Sequence, residues 1–194
     1  MEQGRARIFL VTSGEHPTLP LAEAKAILDA YKVDYELIHS DYKLVQFLAP
    51  SKAADLVAKR AGYVEEAGLE IFHCSPEIRE IKKTIRSQDL SRYISPEETF
   101  SFRVARYGGV SKETSRVELE SELGGLLKSQ TGSRVDLDRP DQRFRGLLAG
   151  PSFYFGVRTF RKEKGSIANR LPRKRPVFHP STMVPKLARC LVNL

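Results

Sequence analysis

The first 74 residues switch between two hydrophobic periods. Arg5–Thr12 (RARIFLVT) is a strand-like apolar run closed by Ser13-Gly14. Leu21, Ala24, Leu28 and Tyr31 then recur at helical spacing, with Thr18 placed to cap and Pro20 tolerated in the first turn. Val33–His39 and Tyr42–Leu48 read as strands joined at Ser40-Asp41. Ser51 can cap a second helix carrying Ala54, Leu56 and Val57, ending near Gly62, and Tyr63–His73 reads as a further strand bent at Gly68. Beyond it, Ser75-Pro76-Glu77 is a helix start, and Ile78, Ile81 and Ile85 form that helix's stripe. Phe100, Phe102 and Val104 alternate with Ser101, Arg103 and Ala105, a strand with one buried face. A helix is expected from Ser111 with the stripe Leu119, Leu123 and Leu126, then a short strand at Val135 and Leu137 and a turn at Asp138-Arg139-Pro140-Asp141. Phe144–Ala149 and Ser152–Thr159 should pair across Gly150-Pro151, with Phe153, Phe155 and Val157 opposite Tyr154, Gly156 and Arg158.

The order β-α-β-β-α-β over residues 1–74 predicts a ferredoxin-like domain. The expected class is α+β: that domain, a second domain over 75–162, and a basic linker with a short helix over 163–194. The chain has 194 residues and a hydrophobic fraction of 41%, enough for a core. Two distant cysteines, Cys74 and Cys190, argue against a disulfide framework and for a reducing cytoplasm. No apolar run approaches the roughly 20 residues that cross a bilayer, so no membrane partner is expected, and the N-terminus does not read as a signal peptide.

Charge changes the picture more than composition does. Eight cations (Arg158, Arg161, Lys162, Lys164, Arg170, Arg173, Lys174, Arg175) less one anion (Glu163) leave +7 between residues 158 and 175, against +8 for the whole chain. A patch so concentrated suits a phosphate backbone; a solvated basic linker is the other reading. Arg103, Arg106, Arg143, Arg145 and Arg158 lie on or beside predicted strands and could grip phosphates, with Tyr107 and Tyr154 able to stack on unpaired bases; Tyr154 reads rather as core. The four histidines have no metal-ligand spacing. Asp136, Asp138 and Asp141 fit a turn that binds its own backbone better than an ion. Gly108-Gly109 and Gly124-Gly125 lack the strand–loop–helix context of a phosphate cradle.

The strand TFSFRVARYG (Thr99 to Gly108), the segment RVDLDRPD (Arg134 to Asp141) and the aromatic strand SFYFGV ending at Val157 together resemble a THUMP domain, an RNA-binding module of tRNA-modifying enzymes. The tail RPVFHPSTMVPKLARCLVNL (Arg175 to Leu194) is similar to the segment joining THUMP to the catalytic domain in archaeal tRNA guanosine methyltransferases. The resemblance implies tRNA as partner, gripped at its acceptor stem and 3′ CCA end, and a molecular ruler that lets a catalytic domain reach one guanine. It implies S-adenosylmethionine for the full-length enzyme, none in this chain, and for some relatives a small activator protein. The glycine-rich loop and Asp-Pro-Pro-aromatic motif of the Rossmann-like catalytic domain are absent, so this chain is expected to be inactive alone. The expected RNA-binding residues are Arg103, Arg106, Tyr107, Arg143, Arg145, Arg158, Arg161, Lys162, Lys164, Arg173, Lys174 and Arg175. Two other readings stay open: a stand-alone THUMP adaptor delivering tRNA to a separate enzyme, and a basic protein that binds no RNA.

Overall fold

The structure is a computed structural model and describes residues 4–108, 115–163, 165, 167–171, 174, 176, 179 and 182–194. Its elements run β1 (Arg5–Thr12), α1 (Leu19–Ala30), β2 (Glu36–Ser40), β3 (Leu44–Pro50), α2 (Lys52–Arg60), β4 (Val64–Cys74), α3 (Ile78–Ser87), β5 (Thr99–Tyr107), α4 (Arg116–Thr131), β6 (Arg134–Val135), β7 (Gln142–Ala149), β8 (Ser152–Arg161) and α5 (Pro185–Asn193). All eight strands belong to one sheet, in the order β2-β3-β1-β4-β8-β7-β5-β6. β1 pairs antiparallel with β3 and β4, as β2 does with β3 and β7 with β8, whereas β5 runs parallel to both β6 and β7.

This corrects the expected fold class. A ferredoxin-like domain, then a THUMP domain, then a linker would leave two sheets in succession. Instead the strands join in a single mixed sheet. Residues 4–69 and 159–194 contribute to one compact unit and 70–158 to the other, so β4 and β8 each run through both. The described residues of the expected linker belong to the first unit. Local periodicity identifies strands, but not which long-range partner takes a strand's second edge.

The first unit buries Ile8, Leu10, Val45 and Phe47 of the sheet against Ala24, Ile27 and Leu28 of α1 and Ala54, Val57 and Ala58 of α2. The alanines of α2 let that helix lie close to the strands. The second unit packs Ile81 and Ile85 of α3 and Leu119, Leu123 and Leu127 of α4 against Phe100, Phe102, Phe144, Phe153 and Phe155. Leu127, not Leu126, completes the stripe of α4. The expected helix start at Ser111 lies outside the described residues. α4 begins at Arg116, where Ser115 accepts from the Val117 amide and Glu118 returns a bond to the Ser115 amide, a capping box.

Candidate nucleic-acid interface

The second unit's sheet has two chemically opposite faces. On the helix-covered face, Phe155 stacks on Phe144 with ring centroids 5.5 Å apart and on Phe72 at 5.1 Å. Gly146 makes that packing possible, because a Cβ there would stand 2.9 Å from the Phe153 ring and 3.2 Å from that of Phe102. The period of two then sends the alternate residues of β5, β7 and β8 to the other face. There, in register, Arg103 of β5 lies beside Arg145 of β7, which lies beside Gly156 of β8. Ser101 adjoins Arg143, and Tyr154 adjoins Leu147. Arg158 and Tyr107 follow on the same face by alternation along β8 and β5. The position opposite Arg145 on β8 is thus a glycine.

Like charges directly opposite on adjacent strands are unfavourable. The Arg103–Arg145 pair is relieved on one side by Glu120 of α4. Arg103 Nη1 donates to Glu120 Oε2 at 3.1 Å, and Glu120 Oε1 accepts the Val104 amide at 2.8 Å. β6 pairs only with Thr99 and Phe100, so the Val104 amide would otherwise face the open strand edge. One carboxylate thus closes a backbone edge and holds the first arginine of the row. Arg143 and Arg145 are half-buried.

The remaining sequence-predicted residues divide. Arg106 falls on the opposite face of β5 from Arg103, in register with Leu148, and does not join the row. Tyr154, expected in the core, lies with the arginines, its ring 5.8 Å from that of His73. Arg161 approaches Glu66 at 3.8 Å. Lys162 Nζ donates to the carbonyls of Ala61 at 2.6 Å and Gly62 at 3.3 Å, and Lys174 donates to Asn169 at 3.0 Å. Lys164, Arg173 and Arg175 lie outside the described residues. Burial, reinforced by the nearby Arg189 charge, lowers the Lys162 ammonium to a pKa of about 8.

The aspartates act as turn residues. Asp136 accepts from the amides of Arg139 at 3.0 Å and Asp138 at 2.8 Å, which holds its carboxyl below the usual range. Asp141 is lowered in the same way by the Thr99 amide at 2.9 Å and the Thr99 hydroxyl at 2.8 Å. Among the described residues no cluster of His, Cys, Asp and Glu could hold a metal, and no helix is long and apolar enough to cross a membrane. Sequence reasoning missed Glu120, although the Ser115-x-x-Glu118 spacing signals the helix start that fixes its position.

Residues 76–154 match the THUMP domain. The tRNA (guanine(10)-N2)-dimethyltransferase of Methanothermobacter thermautotrophicus is 31% identical over 188 residues, 96% of this chain and 54% of that protein. Its namesake from Methanocaldococcus jannaschii is 28% identical over 203 residues, 96% of this chain and 57% of that protein. The chain spans about half the length of these curated relatives. Among solved structures, TrmN from Thermus thermophilus matches with a TM-score of 0.57 at 16% identity, over 80% of this chain and 46% of that one. A predicted N6-adenine-specific DNA methylase from Listeria monocytogenes matches with a TM-score of 0.66 at 9% identity, over 98% of this chain and 48% of that one. The second likeness is one of fold alone; it takes in nearly every residue of this chain and, with the single eight-stranded sheet, overturns the reading of a ferredoxin-like domain followed by THUMP. The chain carries a THUMP domain and is a relative of tRNA (guanine(10)-N2)-dimethyltransferases over about half their length.

Gly124 and Gly125 sit inside α4, where an added Cβ would meet open space, and Gly108 closes β5 in the left-handed region, again with nothing within 4 Å.

Proposed function

We propose that this chain is the tRNA-binding and positioning portion of a tRNA guanine methyltransferase. The observation that carries the proposal is the row Arg103, Arg145, Arg143 and Arg158 on one face of a THUMP-matched sheet, with Tyr107 and Tyr154 on the same face. The relatives named for tRNA guanine methylation support tRNA as the polyanion. Guanidinium groups bind phosphate oxygens in a bidentate fork and stack on bases, so four of them with two tyrosines suit the acceptor end and its unpaired 3′ CCA. The catalytic domain that binds S-adenosylmethionine belongs to the full-length enzyme in this reading.

The chain's contribution is geometric. Holding one end of the tRNA restricts which guanine a tethered catalytic site can reach, and a misplacement of about 1 Å can cost roughly 100-fold in rate. The test is binding of this chain to a tRNA transcript with and without its 3′ CCA at two salt concentrations. Strong loss on removing CCA is expected. Equal binding to both transcripts would reduce the row to a general polyanion site, and binding to neither would sink the proposal.

A second reading is a THUMP adaptor that delivers tRNA to a separate enzyme. The observation favouring it is that α5 packs on the chain's own first unit, with Cys190 fully buried. Restoration of guanine methylation in trans by a separately added catalytic domain would favour the adaptor.

A further inference from the structure

The C-terminal carbonyls of α2 are an unusual feature of the first unit. Helix ends leave four carbonyls without intrahelical partners, and many helices cap them with a left-handed glycine. α2 instead ends at Ala61 in extended backbone, φ −64° and ψ 144°. Its carbonyls are taken by side chains from the last thirty or so residues of the chain. Arg189 donates from Nε to Arg60 O at 2.6 Å and from Nη2 to Lys59 O. Asn193 donates to Arg60 O at 3.2 Å, and Lys162 to Ala61 O at 2.6 Å. Two of the three donors are cations at the negative end of a helix dipole, where charge of that sign is favoured.

The neighbouring amides are closed from the other side. Glu23 of α1 is 0% exposed. Its Oε1 accepts from the Gly62 amide at 2.7 Å and from Asn193 Nδ2 at 2.8 Å, and its Oε2 accepts from the Tyr63 amide at 3.1 Å. A buried carboxylate is tolerable only when so satisfied. The approach is close enough that a Cβ at Gly62 would lie 2.4 Å from the Lys186 carbonyl oxygen. Lys186 adds ion pairs to Glu15 and, at 3.7 Å, to Glu65.

We propose that α5 is a strap clasped to the first unit at Glu23 and the end of α2, and that it opens as a unit without unfolding the sheet. Its polar attachments are formed by Asn193, Arg189 and Lys186, and among its residues Cys190 alone is fully buried, with Leu187 and Ala188 part-buried. The sheet beneath is held by an apolar core to which no residue of α5 belongs. Segments with few buried apolar contacts open below the global unfolding free energy. Glu23, Arg189 and Asn193 are positioning residues for the strap.

Cys190 reports opening directly, because the thiol is fully buried when the strap is closed. The measurement is the alkylation rate of Cys190 by iodoacetamide at fixed pH, with Cys74, the other free cysteine, as internal reference. Hydrogen exchange of β1 and β3 is followed in parallel. Asn193→Ala and Arg189→Met should each speed Cys190 labelling about tenfold, the loss of a charge-assisted hydrogen bond, while Cys74 and the strand amides keep wild-type rates. Glu23→Gln should have a larger effect, since it turns one acceptor toward the Tyr63 amide into a donor. If Glu23→Gln fails to fold, the two surface variants carry the test. Cys190 rates within about twofold of wild type in both would overturn the proposal. So would acceleration of strand exchange in step with Cys190 labelling.

Discussion

Basic side chains have opposite fates in the two units. On the sheet of the second unit, Arg103 and Arg145 are brought side by side by strand register, and Arg143 and Arg158 extend the row. In the tail, Lys162, Arg189, Lys174 and Lys186 are directed to the protein's own carbonyls and carboxylates. By charge density the tail looks like the better polyanion site, since it holds most of the net +8. The geometry of its described residues makes several of these cations internal ligands instead. The comparison teaches that charge density along the chain does not by itself locate a phosphate site: several tail cations are taken up by the protein's own carbonyls and carboxylates, whereas strand register gathers Arg103 and Arg145 on one sheet face even with Glu120 holding Arg103.

The largest expected effect tests the sheet row. Replacing Arg143 and Arg145 together by Ala should weaken tRNA binding about 30-fold at 0.15 M salt and flatten the slope of log K against log salt by about two, as loss of two phosphate contacts requires. Fluorescence anisotropy across a salt series measures both, and an unchanged slope would move the interface elsewhere. Next in size, Gly146→Ala should destabilise the second unit by about 1–3 kcal/mol, since its methyl overpacks the Phe153 and Phe102 rings. Urea unfolding followed by a probe in each unit would show whether the loss stays in the second.

Ser115→Ala removes one half of a capping box and should cost about 1 kcal/mol in the same assay. A smaller effect separates the tail by pH. The Lys162 pKa is lowered from 10.5 to about 8 on folding, so above pH 8 the unfolded chain binds more protons. Stability of the first unit should therefore rise as pH passes from about 8 toward 9. Above 9 the Cys190 thiol, pushed by burial up to about 11, works in the opposite direction. The part due to the lysine is the difference between wild type and Lys162→Met in pH-dependent melting, and a rise that survives in Lys162→Met would refute the assignment. Smallest of all, Arg161→Ala and Lys174→Ala should each change the salt slope of tRNA binding by less than about 0.5, because both already meet Glu66 and Asn169. A change near one would place the tail on the RNA.

Much of the local structure was legible. The alternation Phe100, Phe102, Val104 against Ser101 and Arg103 marks the two faces of β5, although Ser101 is itself buried, and the opposition of Phe155 and Val157 to Tyr154 and Arg158 separates the two faces of β8. Those patterns are local, and a period of two leaves no freedom over which side chains share a face. Arg106 shows the same rule in reverse, because its even spacing from Val104 already sets it on the other face. Glu120 and Glu23 were not legible. Each accepts backbone amides from a strand or loop far along the chain, Val104 in one case and Gly62 and Tyr63 in the other. Nothing in the flanking sequence distinguishes such a carboxylate from a solvated one.

The sequence by itself determined the strands, the helices, the charge excess and the motifs of the THUMP match, because each depends on spacing within a dozen residues. The tertiary structure alone decided that eight strands form one sheet, that Arg103 meets Arg145, and that Lys162, Arg189 and Asn193 serve the end of α2. Pairing of strand edges and satisfaction of buried polar groups are long-range problems. Their solution depends on which distant segment arrives with the complementary donor or acceptor.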